Sequence, residues 1–306
     1  MKFRKLIPIF LGILSALFFA VTFVLNRFMS VSGGHWIWSA SFRFFWMLPL
    51  LLIVVGSQQK IKPLIREILK KPSKWMIWST IGFGVFYLPL TFAASYAPSW
   101  LIACTWQITI VAGLILDTLS KGTFYHKNKQ KKGYLFSGII LTGVFLTQIG
   151  QLEQISGSLL LISVLPVILA AFAYPLGNRK MMELTNGKLS GLQRTLGMTI
   201  ASMPFWFVIT IVGIFTAPQP TIVEVSQTFI VAIASGVIAT TLFFMATDKV
   251  RTNKNRLAAV EATQATEVVF AFLGEVILLQ IHMPDEYAII GMLLICIGMV
   301  LHSIMS

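Results

Sequence analysis

Apolar residues gather along the chain into ten runs of about 20, at 6–28, 36–55, 75–95, 99–118, 133–150, 158–177, 192–216, 227–247, 257–280 and 286–305. Within a run the apolar positions neither alternate nor keep to one stripe. They surround the axis, the pattern of a helix whose every face meets lipid or another apolar helix. At 1.5 Å per residue, such a run spans the roughly 30 Å hydrocarbon core of a bilayer. The pattern predicts an all-α membrane protein with ten transmembrane helices. The first run, within MKFRKLIPIFLGILSALFFAVTFVL, follows a basic flank as a signal peptide would. It is too long for one and no small-residue cleavage site follows, so it reads as a retained first span.

The gaps between runs decide orientation. Of the 24 Lys and Arg residues, 22 fall at 2–5, 60–74, 121–132, 179–194 and 249–256, before the first run or at every second gap after it. The intervening gaps SVSGGH, YAPS, QLEQISG, APQPTIVEVS and IHMPDE contain none. Basic residues are retained on the cytoplasmic side, so both termini are expected in the cytoplasm of a multi-pass cell-membrane protein. Composition agrees, because 56% hydrophobic and 11% charged residues, with a mean hydropathy of +0.81, cannot cover a soluble fold of 306 residues. The net charge of +13 would suggest nucleic acid in a soluble protein. Sorted onto one membrane face it is a topology signal that also meets anionic membrane lipids, and no nucleic-acid partner is expected. Cys104 and Cys296 both fall inside apolar runs, as packing residues and not a disulfide.

The two halves echo each other. FAVTFVLNRFM (19–29) resembles AFAYPLGNRKMM (171–182), pairing Asn26-Arg27 with Asn178-Arg179 at a shift of 152. Arg43 falls near Arg194, Gln107 near Gln264, and Tyr134-x-x-x-Gly138 near Tyr287-x-x-x-Gly291. These matches suggest two five-helix repeats, 1–152 and 153–306. Five is odd, so the second repeat enters the membrane from the opposite side, and the repeats are inverted. Two near-degenerate packings of such halves can open a central site to either face, which is the architecture of a transporter.

The paired Asn-Arg ends, the LGE at 273–275 and the final YAIIGMLLICIGMVLH (287–302) resemble the drug/metabolite transporter superfamily in its ten-span form with two EamA-like halves. The likeness extends over nearly the whole chain and is nearest to the multidrug resistance efflux branch. It implies a secondary transporter, more an exporter than an importer. One departure is plain: small multidrug transporters of this superfamily carry a glutamate in the first span, and this first span has none.

An ionised side chain near the middle of a span costs roughly 2.5 to 3.5 kcal/mol on insertion scales and marks a functional or structural site. EATQATEVVFAFLGE (261–275) holds three. At about 100° per residue, Glu261, Gln264 and Glu275 share one face, with Glu267 about 60° beyond Gln264. Glu261 and Glu275 lie near the span ends and suit pairing or anchoring. Glu267 lies near the middle, where burial and a neighbouring arginine pull its proton affinity in opposite directions, and it is the candidate coupling group. Arg43, seven residues into the second span, is its expected partner or an anchor for an anionic substrate group. Arg27, at a span end, is expected to snorkel. Trp46 and Trp106 lie deep and, with Gln107, are candidate cavity-lining residues for flat or cationic substrates. Trp36, Trp75, Trp78 and Trp100 read as interfacial anchors. His35, His126, His282 and His302 are scattered, no HExxH, GxSxG or phosphate loop occurs, and neither enzyme, metal nor cofactor is expected. The expectation is a secondary active transporter exporting small organic or lipophilic compounds by alternating access, with protons as the coupling ion. The alternatives are a metabolite or amino-acid transporter, and a membrane channel or scaffold.

Overall fold

The computed structural model describes residues 2–58, 60–121, 127–152, 157–250, 256, 259–260, 263–280 and 284–305. Among them every regular element is helical, as apolar runs require in lipid, where each backbone N–H and C=O must be satisfied within its own segment. The helices are α1 (Lys2–Val31), α2 (Trp36–Ser57), α3 (Ile61–Lys70), α4 (Pro72–Ala93), α5 (Ser99–Trp106) and α6 (Ile108–Lys121). They continue with α7 (Lys127–Leu152), α8 (Gly157–Thr185), α9 (Gly191–Thr216), α10 (Ile222–Thr247), α11 (Thr266–Leu279) and α12 (Glu286–Met305). Among the described residues six are long and apolar enough to cross a membrane: α1, α2, α4, α8, α9 and α10.

Several elements differ from the sequence expectation. The run at 99–118 is two helices broken at Gln107, and within the run at 257–280 a 3-10 turn, Thr263–Ala265, precedes α11. Wide π-helical turns interrupt α4 at Thr80–Val85 and α10 at Ala232–Ala239. The basic segment 60–74, taken as a gap, contains α3. Its signal was present in the spacing of Ile61, Leu64, Ile65, Ile68 and Leu69 but was masked by the density of lysine. Trp75 and Trp100 are buried and not interfacial anchors. The Trp75 Nε1 donates to the Glu67 carbonyl at 3.1 Å, which pins α3 to the start of α4.

Helix starts are capped as their sequences allow. Ser190 and Gln193 form a capping box on α9, the Thr221 hydroxyl accepts from the Glu224 N–H on α10, and His35 caps α2. The helix α1 packs against α11, α10 and α5, while α8 packs against α4, α5 and α6; α2 packs on α9 and α10, α4 on α9, α5 on α11, and α7 mainly on α12. The α7–α12 crossing depends on glycine, since a Cβ on Gly143 would come within 2.7 Å of the Gly291 carbonyl and one on Gly291 within 2.6 Å of the Gly143 carbonyl. Membrane helices pack by such close approach because lipid supplies no hydrophobic drive between them. Phe44 stacks on Trp206 at 4.3 Å in the α2–α9 interface. Large apolar side chains such as Phe10, Phe145, Phe207 and Phe215 face outward.

Candidate functional site

The site forms where helices lose their regularity. Phe86 directly follows the π-helical turn of α4, Trp106 is the last residue of α5 before the break, and Tyr174 precedes Pro175 within α8. Their rings make a trio, with centroids 4.8 Å apart for Phe86–Tyr174, 5.1 Å for Phe86–Trp106 and 5.5 Å for Trp106–Tyr174. The Asn178 amide donates to the Tyr174 carbonyl at 2.9 Å, steadying the backbone beside the proline. Irregular turns in membrane helices expose polar backbone and recur at functional sites.

Glu267 joins this region through α11. The 3-10 turn ahead of it places Glu267 in the first turn of a helix, where the dipole favours a carboxylate, and not mid-helix as the sequence suggested. It is 3% exposed, and its Oε2 has no hydrogen-bond partner among the described residues. Glu267, Arg194 and Arg43 lie within electrostatic reach of Tyr174. The expected Arg43–Glu267 ion pair does not form: Arg43 has no carboxylate within 4.0 Å among the described residues. Instead its guanidinium lies 3.9 Å from the Tyr87 ring centre and 5.5 Å from that of Phe44, with Nε unpartnered. Cation–π contact replaces the ion pair because aromatic rings, not acids, surround Arg43. Tyr87 is held in turn by Asn26, whose Nδ2 donates to its hydroxyl at 3.2 Å, and its ring lies 5.9 Å from Phe86. Sequence reasoning singled out Trp106, Arg43 and Glu267, and the Tyr174-Pro175 step and the repeated Asn-Arg were visible in it, but the meeting of Phe86 and Tyr174 with Trp106 and of Asn26 with Tyr87 was not.

The other candidates are placed elsewhere. Glu275 Oε2 accepts from the Ser99 hydroxyl at 2.6 Å and the Trp100 N–H at 3.2 Å, capping α5. Arg27 does not snorkel; its Nη1 donates to the Ala94 and Ser95 carbonyls at 3.1 and 3.3 Å, at the end of α4, within the field of Glu275. An anion at the start of α5 and a cation at the end of α4 thus hold both sides of one turn, each matched to its helix dipole. Gln264 Nε2 donates to the Gly12 carbonyl of α1 at 3.3 Å. Gln107 is fully buried at the α5–α6 break, its Nε2 on the Ala103 carbonyl and its Oε1 unpartnered. The Trp46 ring pairs with Phe229 of α10 at 5.1 Å and does not join the trio. Glu261 lies outside the described residues. No group of three His, Cys, Asp or Glu side chains that could hold a metal occurs among the described residues. Outside the spans, partial burial lowers the His35 pKa below its usual 6.5, and the hydrogen bond from Lys70 holds Glu67 below the usual carboxylate value.

A family model described as "EmrE: Putative multidrug resistance efflux transporter" matches residues 6–306. Among curated relatives, "Uncharacterized protein YjlA" of Bacillus subtilis (strain 168) is 51% identical, over 97% of this chain and 94% of the relative. An "Uncharacterized 42.1 kDa protein in intracellular alkaline protease 3'region" of Shouchella clausii is 48% identical, over 84% of this chain and 69% of its own length. A solved structure titled "Crystal structure of protein" superposes with a TM-score of 0.64 at 13% identity, covering 96% of this chain and 95% of that one, which shows a shared fold. With matches of this extent, the chain belongs to the EmrE-type multidrug resistance efflux transporter family, within the drug/metabolite transporter superfamily.

Proposed function

We propose that this chain is a secondary active transporter that exports small organic compounds across the cell membrane by alternating access, driven by exchange of a proton at Glu267. The carrying observation is the buried Glu267 carboxylate, with an oxygen that no group among the described residues satisfies, within electrostatic reach of Tyr174 in the Phe86–Trp106–Tyr174 trio. A buried acid without a partner can hold a proton or a substrate cation in turn, and flat rings bind apolar or cationic bodies by stacking and cation–π contact.

The accompanying architecture is ten spans in two inverted halves, 1–152 and 153–306, with both termini cytoplasmic. Three regularities support it. Helix pairings persist when each proposed span is replaced by its counterpart five later: α1–α11 becomes α8 against α5 and α6, α1–α10 becomes α8–α4, and α2–α10 becomes α9–α4. The two π-helical turns begin at Thr80 and Ala232, separated by the same 152 residues as Asn26 and Asn178. Gln107 and Gln264 both sit at breaks, and Arg43 and Arg194 each lie over a ring of the next span, Tyr87 and Phe244.

The test is flux in liposomes holding the purified protein, with a panel of organic compounds and an imposed pH gradient. Saturable, gradient-coupled accumulation is expected, and Glu267→Gln should abolish it while leaving counterflow exchange, which needs no net proton movement. Normal gradient-driven transport by Glu267→Gln would make the carboxylate structural. Arg43 favours a second reading of the substrate: a buried guanidinium without a carboxylate suits a metabolite carrying an anionic group, such as an amino acid. Competition of the same flux by amphoteric compounds decides between them.

A further inference from the structure

The helix α3 has no part in the site described above, yet its faces are sharply divided. At about 100° per residue, Leu64, Ile68, Ile61, Ile65 and Leu69 follow one another around an arc of about 140°, and Lys62, Arg66 and Lys70 fill the next 80°. Only one edge of the apolar arc meets the protein. Leu64 is fully buried, against Gly197 of α9, whereas at the other edge Ile65 is 37% and Leu69 71% exposed. That uncovered edge adjoins the basic arc. Together Ile61, Lys62, Ile65, Arg66, Leu69 and Lys70 line one shallow groove. Lys70 is paired with Glu67, but Lys62 and Arg66 have no ion pair among the described residues, and exposed Lys71 and Lys74 continue the charge. The helix is fixed in place by Trp75 on the Glu67 carbonyl and by Gln193, whose Nε2 donates to the Lys60 carbonyl at 2.9 Å.

We propose that α3 lies in the plane of the membrane surface as an anionic phospholipid site, with the headgroup phosphate on Lys62 and Arg66 and an acyl chain along Ile65 and Leu69. An apolar edge beside a cationic edge on a firmly anchored helix matches an amphiphile with a negative head, and the charge complementarity excludes a neutral lipid as the preferred occupant. The inference rests on the membrane location of the chain and is independent of transport, so a failed flux assay leaves it standing.

Native mass spectrometry of the purified full chain, titrated with phosphatidylglycerol or phosphatidylcholine, tests it. A basic side chain near an anionic surface contributes about fivefold in affinity, so the Lys62→Gln, Arg66→Gln double variant should lose roughly 30-fold in phosphatidylglycerol binding and little in phosphatidylcholine binding. Equal affinity of the two lipids, or an unchanged variant, overturns the proposal. Competition by glycerol phosphate as effective as by the whole lipid also overturns it, because the site would then be for a soluble phosphate. Should the double variant fail to fold, a bimane label on Leu69→Cys in the otherwise native chain decides. Quenching by spin-labelled lipid, stronger in phosphatidylglycerol vesicles, is expected; quenching only by aqueous iodide refutes it.

Discussion

The two buried glutamates of α11 offer a sharp test, because the structure gives them opposite surroundings. Glu275→Ala would leave the Trp100 N–H, on a residue only 2% exposed, without an acceptor. The Ser99 hydroxyl would keep one, the Ala271 carbonyl at 3.4 Å. A buried orphan donor costs about 1 to 3 kcal/mol, and losing a carboxylate from a partly buried helix start costs about 1 kcal/mol more. Arg27, which sits in the field of Glu275, also loses its counter-charge. The expected destabilisation is about 2 to 4 kcal/mol, reduced to about 1 kcal/mol in Glu275→Gln, which keeps an acceptor oxygen. For Glu267→Ala no hydrogen bond is lost among the described residues, and loss of a carboxylate from the first turn of α11 is offset by relief of an unpaired buried acid, so a net change of about zero is expected. Reversible unfolding in mixed detergent micelles, followed by tryptophan fluorescence, measures all three. If Glu275→Ala unfolds like the native chain, or Glu267→Ala is the less stable of the two, the division into a structural and a functional carboxylate is wrong.

Arg27→Ala should cost more stability than Arg43→Ala, because among the described residues Arg27 donates to two carbonyls and Arg43 to none, while transport in liposomes should suffer more from Arg43→Ala. Gly143→Leu should loosen the α7–α12 crossing by about 1 to 3 kcal/mol through overpacking, read as a lower melting temperature in detergent. At the start of α2, the His35 Nδ1 accepts from the Ile37 N–H and its pKa is depressed, so the cap is complete above the unfolded value of 6.5 and is lost as pH falls through the lower folded value. The protection of the Ile37 amide relative to its intrinsic exchange rate should therefore fall as pH drops through the folded value, below 6.5, and not in His35→Asn, whose amide does not titrate there. Reporter fusions after residues 151–154 should lie outside the cell and those after Ser306 inside; an outside carboxyl terminus would sink both the span count and the inverted repeat.

The helical type of the apolar segments was legible in the sequence, since lipid offers an apolar backbone segment hardly any other way to satisfy its hydrogen bonds, and that rule acts locally on each run. Trp106, Arg43 and Glu267 could be singled out for the same local reason: their depth in a run makes them costly or unusual. Their partners could not be read off. Whether Arg43 meets a carboxylate or the face of Tyr87 depends on which helices cross beside it, and α2, α4 and α11 are far apart in sequence. The irregular turn of α4 was marked by Gly82 and Gly84, but the breaks at Gln107 and at Thr263–Ala265 were hidden. The 3-10 turn at Thr263–Ala265 changes the phase of Glu267 and Glu275 relative to Gln264 before it and puts Glu267 in the first turn of α11, while Glu275 meets the start of α5. The spacing of α3 lay in the sequence but was masked by its lysines, and only the burial of Leu64 and the exposure of Leu69 show which edge the protein covers. Periodicity is a property of one segment, whereas pairing, cavity and cap are properties of several segments at once, and these were decided by the tertiary structure alone.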